Sequence, residues 1–552
     1  MIDTIAAWFV CAEGESFKLR LSSWQASLVV SGFLVVFSNR SFWQEITRIV
    51  PPVAGNMFFL TTLLLFLVLF LQLFLFIVSF DYVFKPVVIF LLITASLAAY
   101  FMDTFGVMID RGMVQNVVET DAHEVRDLLS LSLFGHLFFL GIVPSWLVWR
   151  IELQYQSWGK EVVKRGILFC LSLVIMVGII FASYGDFIDL GKNHKYVRHM
   201  INPINYLYGV GSYTSRRLKA GNKTMIPVGS DAKVVSTRID GQKKNLFIFV
   251  LGETARAKNF SLNGYSQETN PLLSQEDIFN FTDFYSCGTA TAHSLPCIFS
   301  PLGRLDFRAS KAKHSEGLLD VLSHAGVNVL WRDNQSGCKG TCDRVPHENM
   351  KNVQVEGLCN EGNCYDMVLL EGLQNHIDRI KEGDFFIVLH QIGSHGPAYF
   401  RRYPKEFARF TPECTSSQLQ LCTQEEVKNS YDNSILYTDY FLTKTINLLK
   451  RNDNAFQTAL IYMSDHGESL GEMGLYLHGL PYFMAPEAQK HVGALMWFGE
   501  SSKASINTEK LKLVANNTFS HDNLFHTLLG LMQIEISAYK PEEDILAPFE
   551  RK

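Results

Sequence analysis

The run Met57–Phe80, MFFLTTLLLFLVLFLQLFLFIVSF, has no polar face at any helical period, and no other segment constrains this chain so tightly. A helix lying on a soluble domain keeps one polar side for water. A run of this length without one is solvated by lipid, since roughly 20 apolar residues cross a hydrocarbon core. Similar runs lie at Trp24–Phe37, Val83–Phe101, Leu129–Trp149 and Ile167–Ala182. Trp24–Phe37 is short and carries Ser31 in its middle. Five spans are therefore expected in the first third of the 552 residues. The composition fits, with 48% hydrophobic residues and a mean hydropathy of +0.10. A formal charge of -5 gives no reason to expect a nucleic-acid partner.

Lysine and arginine placement orients the spans. Arg150, Lys160, Lys164 and Arg165 between the fourth and fifth mark a cytoplasmic segment. The loop between the third and fourth is acidic: Asp103, Asp110, Glu119, Asp121, Glu124 and Asp127 stand against Arg111 and Arg126. That loop suits the outside. With a cytoplasmic N-terminus, five spans place everything after about Tyr184 outside. Residues 1–22 lack the pattern of a cleaved leader, so the first span is expected to stay as an anchor.

Cysteine usage points the same way. Of ten cysteines, Cys11 and Cys170 fall in the membrane part and the others in the second half. Their local pairing reads Cys287–Cys297, Cys338–Cys342, Cys359–Cys364 and Cys414–Cys422, a disulfide framework for an oxidising compartment. A Cys-x3-Cys pair on one helical turn has its Cα atoms about 6 Å apart, within bridging range. Zinc-binding cysteine clusters are the rival, but no Cys-x2-Cys pair occurs.

The chain then divides as a membrane domain (1–184), juxtamembrane linker helices (185–243) and an exported domain (244–552). Phe247–Leu251 is a continuous apolar run, as a strand buried on both faces would be. VNVLW, DFFIVLH, TALIYMS and GALMWFG repeat that character. GLLDVLSHAG, YDMVLLEGLQNHIDRI, VKNSYDNSILYTDYFLTKTINLLKR and NLFHTLLGLM read as helices between them. Such alternation implies a mostly parallel sheet covered by helices on both sides.

Open sheets of this kind bind ligands beyond the carboxyl ends of their strands. There the sequence places Glu253, His395, and Asp465 with His466, followed by Glu468 and His478. Carboxylates and imidazoles are a zinc-type donor set. Singly, each has a plain explanation: Glu253 or Asp465 could cap a helix, and a loop histidine is usually a surface residue. A nucleophile is offered by YSCGTATAHSLPCIFS, which holds Ser286, Thr289, Thr291 and Ser294 between two cysteines. A cation lowers a hydroxyl pKa, and a helix N-terminus suits the phosphate it attacks. Composition does not choose between Thr289 and Thr291.

The motifs GETARAKNFSLNGY, SCGTATAHSLPC, WRDNQSGCKGTCDRVPH, GSHGPAYFRRYP and SDHGESLGEMGLYLHGLP resemble those of the lipid A phosphoethanolamine transferases, the group of EptA and the mobile colistin-resistance enzymes. The resemblance spans essentially the whole chain. It implies five membrane helices followed by an α/β/α sandwich of the alkaline phosphatase/sulfatase type in the periplasm, anchored in a bacterial inner membrane. It also implies Thr291 as nucleophile, and Glu253, Thr291, Asp465 and His466 as ligands of the catalytic zinc. His395 and His478 are implied to assist at the phosphate or to hold a second, weaker zinc. Lys339 is implied to contact phosphate, and Thr289 and Glu468 to line the head-group pocket. The cysteine pairing above fits the family's disulfides. Gln335 stands at a position the resemblance associates with Asn. The expected reaction moves phosphoethanolamine from phosphatidylethanolamine to a lipid A phosphate through a threonine intermediate, with the chain acting as a monomer among membrane lipids. The added ammonium would weaken attraction for polymyxin or colistin. The alternatives are a related transferase acting on a core sugar or another envelope glycan, and a catalytically idle membrane receptor.

Overall fold

The computed structural model describes residues 20–120, 125–126, 128–219, 224–235, 243–360, 363–379, 382–504 and 506–547. Cys11, Asp121, Glu124 and Asp127, with all residues before 20, lie outside these residues. The chain divides into two units, Met1–Val114 with Leu129–Ser212, and Gln115–Leu128 with Tyr213–Lys552.

In the first unit, α1 (Ser23–Phe37), α2 (Arg40–Ile49), α3 (Met57–Val78), α4 (Asp81–Phe105), α5 (Leu131–Arg150) and α6 (Trp158–Ala182) follow one another. Among the described residues four helices, α3 to α6, are long and apolar enough to cross a bilayer. The weak first run resolves into a pair, α1 and α2, bent by 64°, so a count of five holds only if that pair is one span. The bend leaves backbone groups open, which lipid cannot satisfy. Asn39 and Asn202 close them. Asn39 Nδ2 donates to the carbonyls of Leu34 and Asn202, and the Asn202 amide returns a bond to Asn39 Oδ1. Asn202 Nδ2 donates to Ser38 and Ala95 carbonyls at 3.0 and 2.8 Å. On α3, Leu63, Leu67, Leu71 and Leu75 pack inward while Leu65, Phe70, Phe74 and Ile77 stay exposed, an apolar outer face for lipid. Two helices follow the last span, α7 (Tyr184–Asn193) and α8 (Ile204–Lys219).

The second unit is built on β1 (Lys244–Gly252), in which no residue from 246 to 251 is more than 3% exposed. Its side chains alternate between two cores. Leu246, Ile248 and Val250 join Leu330, Ile387 and Leu460; Phe247, Phe249 and Leu251 join Trp331, Val388 and Met463. Each such side chain stabilises the fold by about 1.5–3 kcal/mol, and only a strand sandwiched between helical layers buries both sets. Beside β1 lie β2 (Ile278–Phe281), β3 (Asn328–Asp333), β4 (His347–Asn349), β5 (Phe385–His390), β6 (Phe456–Ser464) and β7 (Ala494–Phe498). The sheet order is β2-β7-β6-β1-β5-β3-β4. Strands β6, β1, β5, β3 and β4 are parallel, whereas β7 runs antiparallel to both its neighbours, β6 and the edge strand β2.

The layers are short helices and one long one: α9 (Thr291–Ile298), α10 (Leu318–His324), α11 (Leu373–Arg379), α12 (Gln424–Asn452) and α13 (Asp522–Leu531). Thr423 and Glu426 form a capping box that starts α12, and its inward face carries Tyr431, Ile435, Phe441 and Leu442 into one core. The segment read as one helix over YDMVLLEGLQNHIDRI breaks at Gly372, whose φ is +65°. Before the break lies a 3-10 turn, Asp366–Leu370, and the Asp366 carboxylate accepts from the amides of Ile392 and Gly393 and from Asn334 Nδ2.

Candidate active site

Register places the site. Gly252 of β1 pairs with Ser464 of β6, so Glu253 and Asp465 leave the sheet side by side. His390 of β5 pairs with Leu251 on the other side of β1, and the loop after it carries His395. The turn after β1 is held in an unusual conformation: Thr254 has φ of +62°, which β-branched residues rarely adopt. Its amide donates to Asp465 Oδ1 at 3.1 Å, its hydroxyl donates to Glu253 Oε1 at 2.7 Å, and Tyr431 OH donates to its carbonyl. Three bonds hold that backbone in place.

Glu253, Asp465 and His466 are fully buried. His466 Nδ1 donates to the Gly467 carbonyl at 2.9 Å, which turns Nε2 toward the carboxylates. Nε2 lies 3.3 Å from both Glu253 Oε1 and Asp465 Oδ2. Thr291 is the first residue of α9, after Ala290 in extended conformation. Its Oγ1 lies 3.2 and 3.1 Å from the two Glu253 oxygens and 3.3 Å from His466 Nε2. Gln335, a residue given no role by composition or spacing, donates from Nε2 to Glu253 Oε2 at 3.2 Å.

The other hydroxyls of the loop are committed elsewhere. Thr289 Oγ1 donates to the Leu480 carbonyl at 2.6 Å, and Ser286 Oγ donates to the Gly288 carbonyl at 2.6 Å. Ser294 is buried on α9 and its Oγ meets no hydrogen-bond partner among the described residues. The Thr289 carbonyl accepts from the Gly479 amide, so the loop of Thr289 and Thr291 and the loop bearing His478 are stitched together.

The His478 ring lies 4.2 Å from that of His466, tilted by 43°, and 5.5 Å from that of His395, edge to face, centroid to centroid. His478 Nδ1 stands 2.8 Å from Glu468 Oε2, and Tyr399 OH donates to Glu468 Oε1 at 2.6 Å. Lys339 follows Cys338 in the turn after β3. Its ammonium donates to Ser336 Oγ at 2.8 Å and faces a cavity of about 450 Å³ lined also by Phe299, Ser300, Thr341 and Arg344. The turn before it is anchored by Asp333, whose Oδ1 accepts from the amides of Gln335 and Gly337 and whose Oδ2 meets His390 Nδ1.

Burial and neighbouring charges shift the carboxyls of the site. Burial opposes ionisation of Glu253, yet its hydrogen bond and attraction to His466 outweigh burial and hold its carboxyl well below the usual range. Burial, and then the Glu253 charge, push Asp465 up. Burial lifts Glu468 to about 8. Asp465 Oδ2 is buried and receives no hydrogen bond among the described residues. One donor atom each from Glu253, Asp465 and His466 lies within 4.8 Å of the others, and the same holds for His466, Glu468 and His478. Buried oxygens and an imidazole nitrogen converging this closely fit a divalent metal of zinc type.

All four disulfides pair as read from the sequence. The Cys338–Cys342 Cα separation is 5.7 Å, but a turn with Lys339 at φ +53° and Gly340 at φ +91° sets it, not a helical turn.

Residues 66–218 match the family model for phosphoethanolamine transferase EptA/EptB, and residues 245–534 match that for sulfatases. The chain is 41% identical over 474 residues to phosphoethanolamine transferase EptA of Escherichia coli K12, covering 85% of this chain and 86% of that protein. It is 37% identical over 523 residues to phosphatidylethanolamine transferase Mcr-1 of Escherichia coli, covering 93% and 95%. The solved integral membrane lipooligosaccharide phosphoethanolamine transferase A of Neisseria meningitidis superposes with a TM-score of 0.93 at 34% identity, over 97% of this chain and 100% of that one.

Proposed function

The chain belongs to the EptA/EptB phosphoethanolamine transferase family, and on that premise we propose that it moves phosphoethanolamine from phosphatidylethanolamine to a lipid A phosphate through Thr291. It is an inner-membrane protein with an N-terminal apolar helical region and a periplasmic domain of the alkaline phosphatase/sulfatase type. The observation that carries the reading is the convergence of Thr291 Oγ1 on Glu253 and His466 at the start of a helix.

Glu253, Thr291, Asp465 and His466 are the residues that would hold the catalytic zinc, with His395 and His478 a second, weaker site. Bound there, zinc supplies a Lewis acid that lowers a hydroxyl pKa and offsets phosphate charge. Thr291 Oγ1 attacks the donor phosphorus as its proton passes to solvent. The bond from phosphorus to Thr291 forms as the bond to the diacylglycerol oxygen breaks. His395 or His478 gives that oxygen a proton and takes one back from solvent. A lipid A phosphate oxygen then attacks the phosphorus, the bond to Thr291 Oγ1 breaks, and Oγ1 recovers a proton from solvent. Two displacements through one covalent intermediate make the kinetics ping-pong. The amides at the start of α9 favour the phosphate charge. Thr289 and Glu468 border the head group, and Lys339 meets a phosphate oxygen. All these residues lie in one chain, so the enzyme is read as a monomer.

The test is mass spectrometry of lipid A from cells expressing the protein or its Thr291→Ala variant. One added phosphoethanolamine with the parent and none with the variant is expected. Unmodified lipid A beside a well-expressed parent would redirect the search to another acceptor. Modification that survives in Thr291→Ala would remove Thr291 from the nucleophile's role.

A further inference from the structure

We propose that His521 is a positioning residue for the transfer reaction, its imidazole fastening the loop that carries Thr291 to the strand end that carries Asp465 and His466. The proposal rests on the functional reading above and adds a residue to it. His521 stands just before α13 and is 1% exposed. Its Nδ1 accepts a hydrogen bond from the Cys287 amide at 3.0 Å, and its Nε2 donates to the Ser464 carbonyl at 2.9 Å. The two bonds fix the tautomer, with the proton on Nε2. Burial holds the ring neutral, down at about 3.

What the two bonds reach gives His521 more than a core role. Cys287 opens the disulfide-closed loop of Thr289 and Thr291. Ser464 is the residue before Asp465, and it relays further: its Oγ donates to the His466 carbonyl at 2.9 Å and accepts from the Ala255 amide at 2.7 Å. One imidazole therefore ties the Thr291 loop to a serine that braces both the Glu253 turn and the Asp465–His466 turn. The backbone around His521 is itself pinned to the loop. Phe519 and Ser520 pair with Phe284 and Tyr285, and the His521 amide donates to the Tyr285 carbonyl. A neutral histidine supplies one acceptor and one donor on opposite sides of a rigid ring, which no aliphatic side chain of its size does. Displacement of a reacting group by about 1 Å can cost on the order of 100-fold in rate.

The test uses the full-length enzyme in detergent with phosphatidylethanolamine and saturating lipid A, and follows diacylglycerol release over many turnovers. His521→Asn keeps an acceptor near the Nδ1 position and His521→Gln a donor near the Nε2 position; each restores one arm. Both are expected to lower kcat by about 10- to 100-fold, with KM within about twofold of the parent. The zinc content is expected to be unchanged, and the limbs of the pH–rate profile are expected to stay in place because His521 moves no proton. A milder cut, Ser464→Ala, leaves both His521 bonds and removes only the relay, so kcat is expected to fall several-fold; it serves if the His521 variants do not fold. Folded variants with the parental kcat would overturn the proposal, as would a rise in KM alone or a displaced pH limb. A parent enzyme that releases no diacylglycerol would overturn the functional reading and this proposal with it.

Discussion

Thr289 and Thr291 sit two positions apart in a loop of small residues, and their neighbours decide their chemistry. The Thr289 hydroxyl is held by the Leu480 carbonyl, whereas that of Thr291 faces Glu253 and His466. Thr291→Ala is expected to reduce transfer at least about 1,000-fold while the protein melts within a few degrees of the parent. Thr289→Ala is expected to lose about 1 kcal/mol of stability from its buried hydrogen bond and to keep measurable transfer. Product assays beside thermal melts separate the two, and equal activity losses would undo the distinction. His521 makes a pH prediction at the same scale. Burial lowers it from 6.5 to about 3 in the folded protein, so below pH 6.5 the unfolded chain takes up a proton that the native state refuses. Its contribution is complete above pH 6.5 and is lost as the pH falls toward 3, by about 1.4 kcal/mol per pH unit. His526, lowered to about 4 chiefly by burial, acts in the same direction. The raised carboxyls of Asp465 and Glu468 act in the opposite direction, so the check compares zinc-stripped parent with zinc-stripped His521→Gln: the gap between their denaturant midpoints is expected to narrow from pH 7 to pH 5, and a constant gap would contradict this account.

At the scale of elements, the site depends on how closely two loops approach. Gly393, in the turn after β5, has φ of +51°, and a Cβ there would lie 2.5 Å from the Glu253 carbonyl. Backbone cannot yield as a flexible side chain would. Gly393→Ala is expected to cost about 1–2 kcal/mol from the left-handed conformation alone and more from the contact. By pushing Glu253 it is also expected to weaken zinc binding. Zinc titration followed by melting checks both, and parental values would show that the two loops separate freely. The break at Gly372 belongs to the same scale: the 3-10 turn Asp366–Leu370 precedes it, and the Asp366 carboxylate accepts from the amides of Ile392 and Gly393. That bond pattern also holds the loop leading to His395.

For the whole molecule, a metal held by Glu253 and Asp465 would couple folding to function. Glu253 and Asp465 are buried together, and a cation that binds them in the native state stabilises that state by mass action. Chelation is expected to abolish transfer and to lower the melting temperature. Restoring zinc to about 100 times its dissociation constant should return about 2.7 kcal/mol of stability. Recovery of activity by zinc after chelation, followed in the full-length enzyme, is the check; transfer that persists in chelator would remove the metal from the reaction. The membrane unit answers to a different solvent. Its broken first helix survives because Asn39 and Asn202 satisfy the open backbone internally.

Much was legible in the residues alone because it rests on local pattern. The lipid-solvated run Met57–Phe80, the doubly buried strand Phe247–Leu251, the four cysteine pairs and the placing of Glu253, Asp465 and His466 after strands all follow from periodicity, length and spacing. Other features stayed hidden because they depend on contacts between distant segments. The bend between α1 and α2, the antiparallel edge of β7 and β2, the break at Gly372 and the bond from Gln335 to Glu253 have no local signature. His521 is the clearest case: in sequence it is one more histidine before a helix. Only the fold brings its two ring nitrogens to Cys287 and Ser464, since a hydrogen bond between residues far apart in the chain is decided by packing and leaves no period in the sequence.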